Sequence, residues 1–436
     1  MRALVCFFSM AFLIGGLAAQ DKRPARESLE AYLKRLRAVQ ASQSVGLSAS
    51  LTEILVRLEQ DALARRTEAL DRGREQLIAL GAEAAPLLVE KLDPGAQASD
   101  AQKLVAQTVR RALFELRSSA VTPRLVELAQ SASPDGRRNA VLALGSAPEP
   151  ERAAPLLVGI VKGGPQELRD AALTSLANLK GAEADKALGE ALSDPAPEVV
   201  NAALRALTRA KRADLAPRVL RLVESVRDAI PHVEALAAYY GAVPQAVDKA
   251  HALAILRLTQ DFTPPPEQRA RLLDLVPSFP DDSIENEGKK ILRELGLSPT
   301  KEVRESALVA LTLLGDKNAR RDLFAAIETQ VDRNKGYAQN YEERARLYYR
   351  IEQWRDAAKD YTTALKLSAD DFRARPEGSY LGLARCHLQM GKLKDAAETL
   401  EKAPISLKEL QALANDPLFQ KLVENPKYRP LFRLDG

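Results

Sequence analysis

The stretch SDPAPEVVNAALRAL, Ser193–Leu207, begins with turn residues and continues with the apolar spacing of a helix. Asp194 and Pro195 favour a turn, and Arg205 falls on the predicted outward face of the following helix. The residues predicted to be core are Ala202, Ala203 and Leu207. The fold depends on whether this helix is isolated or is one copy of a repeated unit.

The same phrase recurs along the chain. Copies start with GRRNAVLALGS at Gly136, ELRDAALTSLAN at Glu167, EVVNAALRALTR at Glu198 and EVRESALVALTLLG at Glu302. Each has a polar start, small apolar residues and a leucine one turn further on. These leucines are Leu144, Leu176, Leu207 and Leu311, with weaker copies at Leu116 and Leu80. The period is about 31 residues, which is typical of a helical repeat protein.

A second helix is predicted after each of these first helices. The predicted second helices start at Ala84, Val121, Ala153, Asp185 and Leu215. Proline is predicted in the first turn of most of them, where its missing N–H is tolerated; these prolines are Pro86, Pro123, Pro155 and Pro217. A two-helix unit of this length cannot bury its apolar face alone, so the pattern predicts stacked hairpins, an α-solenoid.

These units resemble HEAT repeats in the short form common in bacterial proteins. The resemblance covers residues 74–225 and returns at 302–330, whereas 226–300 is interpreted as degenerate repeats with an inserted loop at Pro264–Pro266. That loop is either a partner contact or a plain connector. The arginine frequent in HEAT repeats is present at Arg137, Arg169 and Arg304, but Val200 occupies the matching place in the opening stretch.

The last hundred residues resemble tetratricopeptide (TPR) repeats. Two copies of the pattern stand 39 residues apart, although Arg344 replaces the usual first-helix leucine. The first copy is carried by Tyr341, Ala345, Tyr348, Trp354, Ala357, Tyr361 and Ala364, and the second by Tyr380, Leu383, Ala384, His387, Gly391, Ala396, Leu400 and Ala403. The tail NDPLFQKLVENPKYRPLF repeats a short phrase and is predicted to cap the repeats.

The TPR resemblance implies a partner-binding groove on the first helices. Its inward-facing residues would be Glu342, Arg346, Tyr349, Arg350, Arg385 and Gln389. Three arginines would suit an acidic segment or a terminal carboxylate. The alternative is that each of the six is an ordinary solvated helix residue.

The N-terminus has the pattern of a secretory signal peptide. A basic Arg2 precedes the apolar run Ala3–Ala19, and charge returns at Asp21. Retention of this run as a membrane anchor is the alternative. We therefore predict export to the periplasm or cell envelope, with an extracellular location as the other option. The predicted domains are a signal peptide (1–19), a helical cap (20–73) broken at VGLSAS, a HEAT-like array (74–330), and TPR repeats with capping helices (331–436).

The sequence offers few residues for chemistry. His232, His251 and His387 each stand alone among apolar neighbours, which favours core or edge histidines, and Cys386 is predicted to be a small core residue. We therefore predict no catalytic residues, no cofactor and no metal site. A net charge of +4 over 436 residues is too weak to imply a polyanionic partner, although Arg110-Arg111 and Arg137-Arg138 occupy corresponding places in successive repeats.

Together these patterns predict an all-α fold, a solenoid of HEAT-like hairpins continued by TPR hairpins. The predicted function is a non-enzymatic scaffold that recognises a protein or peptide along its concave face, with no nucleic acid as partner and no membrane span after signal cleavage. The oligomeric state is left open. The alternatives are a HEAT-like enzyme or cofactor-lyase subunit of the bilin-handling type, and a nucleic-acid-binding HEAT-like protein.

Overall fold

The computed structural model describes residues 29–280, 282–369 and 375–433. Helices and turns fill these ranges, and no β-strand occurs within them. None of the helices in the described ranges has the length and apolar character needed to cross a membrane. The predicted signal peptide lies outside the described residues. The fold class is all-α, an α-solenoid of stacked helical hairpins, as predicted.

The chain divides into two compact units, one ending at Leu188 and the other beginning at Gly189. The helices of the first unit, the last of which contains the division, are α1 (Leu29–Leu63), α2 (Thr67–Ala79), α3 (Ala85–Val89), α4 (Asp100–Leu116), α5 (Thr122–Ser131), α6 (Pro134–Leu144), α7 (Pro150–Gly163), α8 (Gln166–Asn178) and α9 (Ala182–Ala191). Helices α2, α4, α6 and α8 pack side by side in that order. They form the row of first helices of the repeats.

The second unit continues with the same alternation of helices. Its helices are α10 (Pro197–Ala210), α11 (Ala216–Glu224), α12 (Val226–Ala229), α13 (Val233–Ala242), α14 (Lys249–Gln260), α15 (Pro266–Leu275), α16 (Asn286–Leu295), α17 (Lys301–Leu313), α18 (Lys317–Arg333), α19 (Ala338–Arg350), α20 (Trp354–Ser368), α21 (Glu377–Gln389), α22 (Leu393–Lys402), α23 (Leu407–Leu413) and α24 (Gln420–Val423). In this unit α10, α13, α15 and α17 form a row of first helices, each packed on the next.

The core consists of the small apolar residues and leucines that the repeat predicted. In α10, Ala202, Ala203 and Leu207 are buried and Arg205 is exposed, so the prediction for the opening stretch is confirmed. The repeat leucines Leu144, Leu176 and Leu311 are buried as well, whereas the weaker copies at Leu80 and Leu116 are half-buried. Small residues let neighbouring helices approach closely.

Two of the three repeat arginines, Arg169 and Arg304, bond to the turn before their helix, whereas the Nε of Arg137 is buried without an acceptor among the described residues. Arg169 Nε donates to the carbonyl of Gly164 at 2.7 Å, and Arg304 Nη1 donates to the carbonyl of Ser298 at 2.8 Å. Each guanidinium therefore holds the turn that precedes its own helix. The buried Arg269 does the same from the fourth position of α15, where Nε donates to the carbonyl of Thr259 at 2.8 Å.

Arg269 extends the repeat into the region that the sequence pattern left degenerate. Val276 stands seven residues after it and is buried, as the repeat leucine stands seven residues after Arg169 and Arg304. The predicted loop at Pro264–Pro266 is a short turn, because Pro266 is already the first residue of α15. The sequence pattern did not reveal this repeat because Val276 stands at the position of the repeat leucine and because the proline run Pro264–Pro266 interrupts the pattern.

Two local predictions are wrong. The break at VGLSAS does not occur, because α1 runs without interruption from Leu29 to Leu63, and Thr52 Oγ1 bonds back to the carbonyl of Ser48 at 2.8 Å inside it. Buried Leu51 and Leu58 hold this helix on its neighbours, and that packing outweighs the local turn preference.

The second wrong prediction concerns Pro155. It lies inside α7 and not in its first turn, because Pro150 already begins that helix. Pro150 occupies the N-terminal position that proline prefers. Pro155 therefore interrupts one backbone hydrogen bond within α7.

The two C-terminal hairpins turn at equivalent positions with different residues. Gly391 joins α21 to α22 with φ +74°, and Glu352 joins α19 to α20 with φ 61°. The backbone bonds around both turns match, since Gln353 N donates to Tyr348 O at 2.9 Å and Lys392 N donates to His387 O at 2.8 Å. Glu352 thus adopts a left-handed conformation that glycine adopts without steric cost.

We expect Glu352→Gly to stabilise the protein by up to about 1 kcal/mol, because a left-handed non-glycine residue costs about 1–2 kcal/mol. Guanidinium unfolding of the full chain measures the change. The control is Glu398→Gly at an exposed interior position of α22, which should lose about 1 kcal/mol because glycine is a poor helix former. A loss of stability in Glu352→Gly would contradict the strain at this turn.

Candidate partner-binding surface

The six predicted groove residues lie on α19 and α21, the first helices of the C-terminal hairpins. Ala345, Ala357 and Ala384 are completely buried, and these small side chains allow close packing of α19, α20 and α21. This core fixes the positions from which the polar residues of α19 and α21 project. The structure places the six residues in several separate local environments.

Glu342 and Arg346 lie together at a cavity. The guanidinium of Arg346 is mostly exposed and pairs with Glu342 one turn earlier on α19. The other carboxylate oxygen of Glu342 accepts a hydrogen bond at 3.0 Å from the hydroxyl of Ser379, which is buried on α21. Both residues line a cavity of about 510 Å³, together with Tyr337 and Arg375. The other four predicted residues do not line this cavity.

Arg350 joins the last turn of α19 to two preceding helices. Its Nη2 donates to Asp274 Oδ1 of α15 and to Ser306 Oγ of α17, each at 2.7 Å. Its Nη1 also lies 3.7 Å from Glu305 Oε2. This guanidinium therefore holds the C-terminal hairpins against the preceding repeats of the same unit.

The remaining predicted residues have different surroundings. Arg385 Nη2 donates to Asp416 Oδ2 at 2.9 Å, and its guanidinium stands over the ring of Phe419. The Tyr349 ring packs edge-on against Trp354 at 5.0 Å between centroids, and Gln389 is exposed. Each of the three predicted arginines already pairs with a carboxylate of this chain, and binding of an acidic segment there stays a prediction.

The sequence pattern did not identify the acidic partner of Arg344. Arg344 Nε donates to Asp360 Oδ2 at 2.6 Å and Nη2 donates to Oδ1 at 2.9 Å, which joins α19 to α20 in a bidentate pair. Asp360 is buried, and its hydrogen bonds raise the pKa of the Arg344 guanidinium. A buried aspartate among the apolar positions of α20 was the available signal.

The histidines and the cysteine that were considered for catalysis or metal binding pack within the fold. His251 is buried, with Nδ1 2.7 Å from Asp248 Oδ1 and Nε2 3.0 Å from the carbonyl of Ala216. His232 is buried with Nδ1 2.9 Å from Asn201 Oδ1. Burial raises the pKa of the Cys386 thiol to about 12, so it stays protonated, and the prediction that Cys386 is a core residue is confirmed.

His387, the third histidine, is half-buried. Its pKa is lowered by burial, which favours the neutral ring of an edge histidine. Within the described ranges, no group of three or more His, Cys, Asp and Glu side chains is arranged to hold a metal ion.

We expect Asp360→Asn to destabilise the full chain by about 2–3 kcal/mol, because it leaves a partly buried guanidinium without its counter-charge. Replacing both partners, Arg344→Leu with Asp360→Leu, should bring stability to within about 1 kcal/mol of the wild type. Urea unfolding measures both variants.

The matched control is Asp322→Asn in the exposed Arg321–Asp322 pair, which should change stability by less than about 0.5 kcal/mol. Equal losses in Asp360→Asn and Asp322→Asn would contradict the role given to the buried pair.

One protein-family model matches part of the chain. No curated protein matches the sequence. Among known structures, the chain is similar to an engineered protein (18% identity, TM-score 0.31, 81% of this chain and 99% of that chain). It is also similar to a homology model of the full-length AP-3 complex in an intermediate open conformation (12% identity, TM-score 0.35, 91% of this chain and 82% of that chain). A third similar structure is the crystal structure of Kap121p (12% identity, TM-score 0.37, 92% of this chain and 46% of that chain). Likenesses this low carry no argument about function. Residues 89–177, from the end of α3 into α8, match the family model of HEAT repeats.

Proposed function

We propose that this protein is a non-catalytic scaffold that binds a protein or peptide partner along the rows of first helices. The observation that supports this most is that each first helix has an apolar face buried against its neighbours and a polar face at the surface. In α10, Ala203 and Leu207 are buried against neighbouring helices, whereas Arg205 and Arg209 are exposed. Stacking therefore uses the apolar side chains and places polar side chains on the solvent side of the row, where a partner can contact them.

The HEAT repeats within 89–177 support the same function, because stacked repeats present extended surfaces that serve for binding. We further propose that the C-terminal hairpins are TPR repeats. Buried Ala345, Ala357, Ala384 and Ala396 at the helix contacts support this proposal. Exposed Arg346 and Gln389 are then the groove residues most accessible to a partner.

The proposal that the scaffold is non-catalytic is supported by how its reactive side chains are used. Both ring nitrogens of His251 have partners within the fold, and the Cys386 thiol is buried with a raised pKa. These groups stabilise helix contacts. The cofactor-lyase and nucleic-acid alternatives are outcomes of the experiment below.

We also propose that this is a bacterial protein exported to the periplasm or cell envelope. This proposal rests on the basic start and the apolar run Ala3–Ala19 in the sequence. Fractionation of the native protein tests it directly. Recovery from the cytoplasm would contradict export and would favour the nucleic-acid alternative.

Affinity purification of the full-length native protein from its own cell envelope tests the scaffold function. We expect a specific protein partner, and we expect Arg346→Glu to reduce its recovery at least fivefold because the substitution reverses an exposed charge at the proposed groove. Lys359→Glu on the second helix α20 is the matched control, since it reverses an exposed charge away from the groove.

The opposite result is equally clear. If no protein partner co-purifies and a bound small molecule or chromophore is found instead, the scaffold function is wrong and the cofactor-lyase alternative gains support. If Arg346→Glu lowers recovery no more than Lys359→Glu does, binding does not use Arg346 and the proposed groove on α19 is wrong.

A further inference from the structure

A row of arginines runs across the first repeats. Six residues before the repeat leucines Leu80, Leu116 and Leu144, the sequence has arginine each time. These residues are Arg74, Arg110 and Arg138. They lie on α2, α4 and α6, which pack side by side. Residues at the same register on neighbouring first helices form a row, so these three guanidinium groups project from the same part of the first unit.

Arg110 and Arg138 line a cleft of about 120 Å³ between α4 and α6. Three other polar residues of the cleft, Lys103, Asp135 and Asn139, already have partners within the fold. Lys103 Nζ lies 3.4 Å from Asp135 Oδ2, and Asn139 Nδ2 donates to the carbonyl of Leu92 at 3.1 Å. The two guanidinium groups are therefore the positive charges in this cleft that remain available to a ligand.

The charge of Arg110 is not compensated within the fold. Its Nε is buried and has no hydrogen-bond acceptor among the described residues. Across the ranges that the structure covers, no carboxylate forms an ion pair with Arg110, Arg111 or Arg138. Burial and the neighbouring charges of Arg111 and Arg138 lower the pKa of the Arg110 guanidinium.

This arrangement contrasts with the arginines of α19 and α21. Arg350 and Arg385 are held by carboxylates of their own chain, whereas Arg110 and Arg138 stand beside each other without one. Like charges in a partly buried cleft repel, and a buried polar atom without a partner is costly. A bound anion would relieve both effects.

The extent of the row favours a short acidic peptide over a nucleic acid. At the next register the residue is Asp170, so the arginine row ends after three repeats. Arg74 Nη1 is already 3.7 Å from Glu115 Oε1, and Asp135 adds a negative charge to the cleft. Tight nucleic-acid binding uses on the order of six or more phosphate contacts. Two available guanidinium groups suit paired carboxylates.

We propose that the cleft of Arg110 and Arg138 binds carboxylate side chains of an acidic peptide segment in a protein partner. This inference rests on the proposed scaffold function and names the chemistry of the partner. It assigns the acidic segment to the cleft between α4 and α6, where Arg110 and Arg138 form no ion pair with a described carboxylate, and not to the C-terminal hairpins.

The test is fluorescence anisotropy with the full-length protein and a labelled peptide of alternating glutamate and alanine. We expect this peptide to bind at least tenfold more tightly than the same peptide with glutamine in place of glutamate. Arg110→Gln with Arg138→Gln should weaken binding at least tenfold, and the exposed Arg138→Gln alone at least threefold. The charge-matched control, Arg221→Gln with Arg333→Gln at exposed positions of the second helices α11 and α18, should stay within twofold.

Equal binding of the glutamate peptide by the wild type and Arg138→Gln would overturn the inference, as would no preference for glutamate over glutamine. Tighter binding of duplex DNA of equal charge, lost in the same variants, would overturn the peptide assignment. A native partner that co-purifies equally with the wild type and the double variant would overturn the cleft assignment alone and leave the scaffold function standing. Absence of any partner would instead overturn the scaffold function, while the peptide titration still decides the chemistry of the cleft.

Discussion

Burial of the apolar face of each hairpin between its neighbours is the constraint on which this structure depends. A single pair of short helices exposes too much apolar surface to be stable, so each repeat requires the next. Ser175 shows how tight the contact is: it is completely buried on α8, and its hydroxyl donates to the carbonyl of Val141 on α6 at 2.8 Å. Close approach of this kind explains why so many of the buried residues at the repeat contacts are alanine.

Charged side chains are used differently in different parts of the chain. In the C-terminal hairpins, Arg344, Arg350 and Arg385 each pair with a carboxylate and hold helices together. In the first unit, Arg110 and Arg138 line one cleft without such a partner. A guanidinium that already forms an ion pair with good geometry within the fold gains little from binding a ligand, whereas an uncompensated guanidinium gains a counter-charge. The same residue type thus has a structural role in one place and a proposed binding role in the other.

The candidate site could be predicted only in part from the sequence. Which arginines form ion pairs within the fold depends on carboxylates that are distant in sequence. Arg346 and Gln389, two of the residues that the TPR resemblance implies for a groove, are exposed, and their role in binding stays a prediction. The resemblance could not show that Arg350 would meet Asp274 of α15, since that contact spans several helices. Arg269 was missed for another reason: its repeat has valine where others have leucine. Once its bond to the carbonyl of Thr259 is seen, the repeat register is plain.

The sequence by itself determined the all-α class, the repeat register outside residues 226–300 and the buried faces of those repeats, because helix periodicity and the need to bury apolar residues act locally and recur in each unit. Only the tertiary structure decided which polar groups are compensated. It also decided that α1 continues through VGLSAS, since packing of Leu51 and Leu58 outweighs local turn preferences. Charge pairing and helix continuity depend on contacts between segments far apart in the chain, and a local pattern contains no information about them.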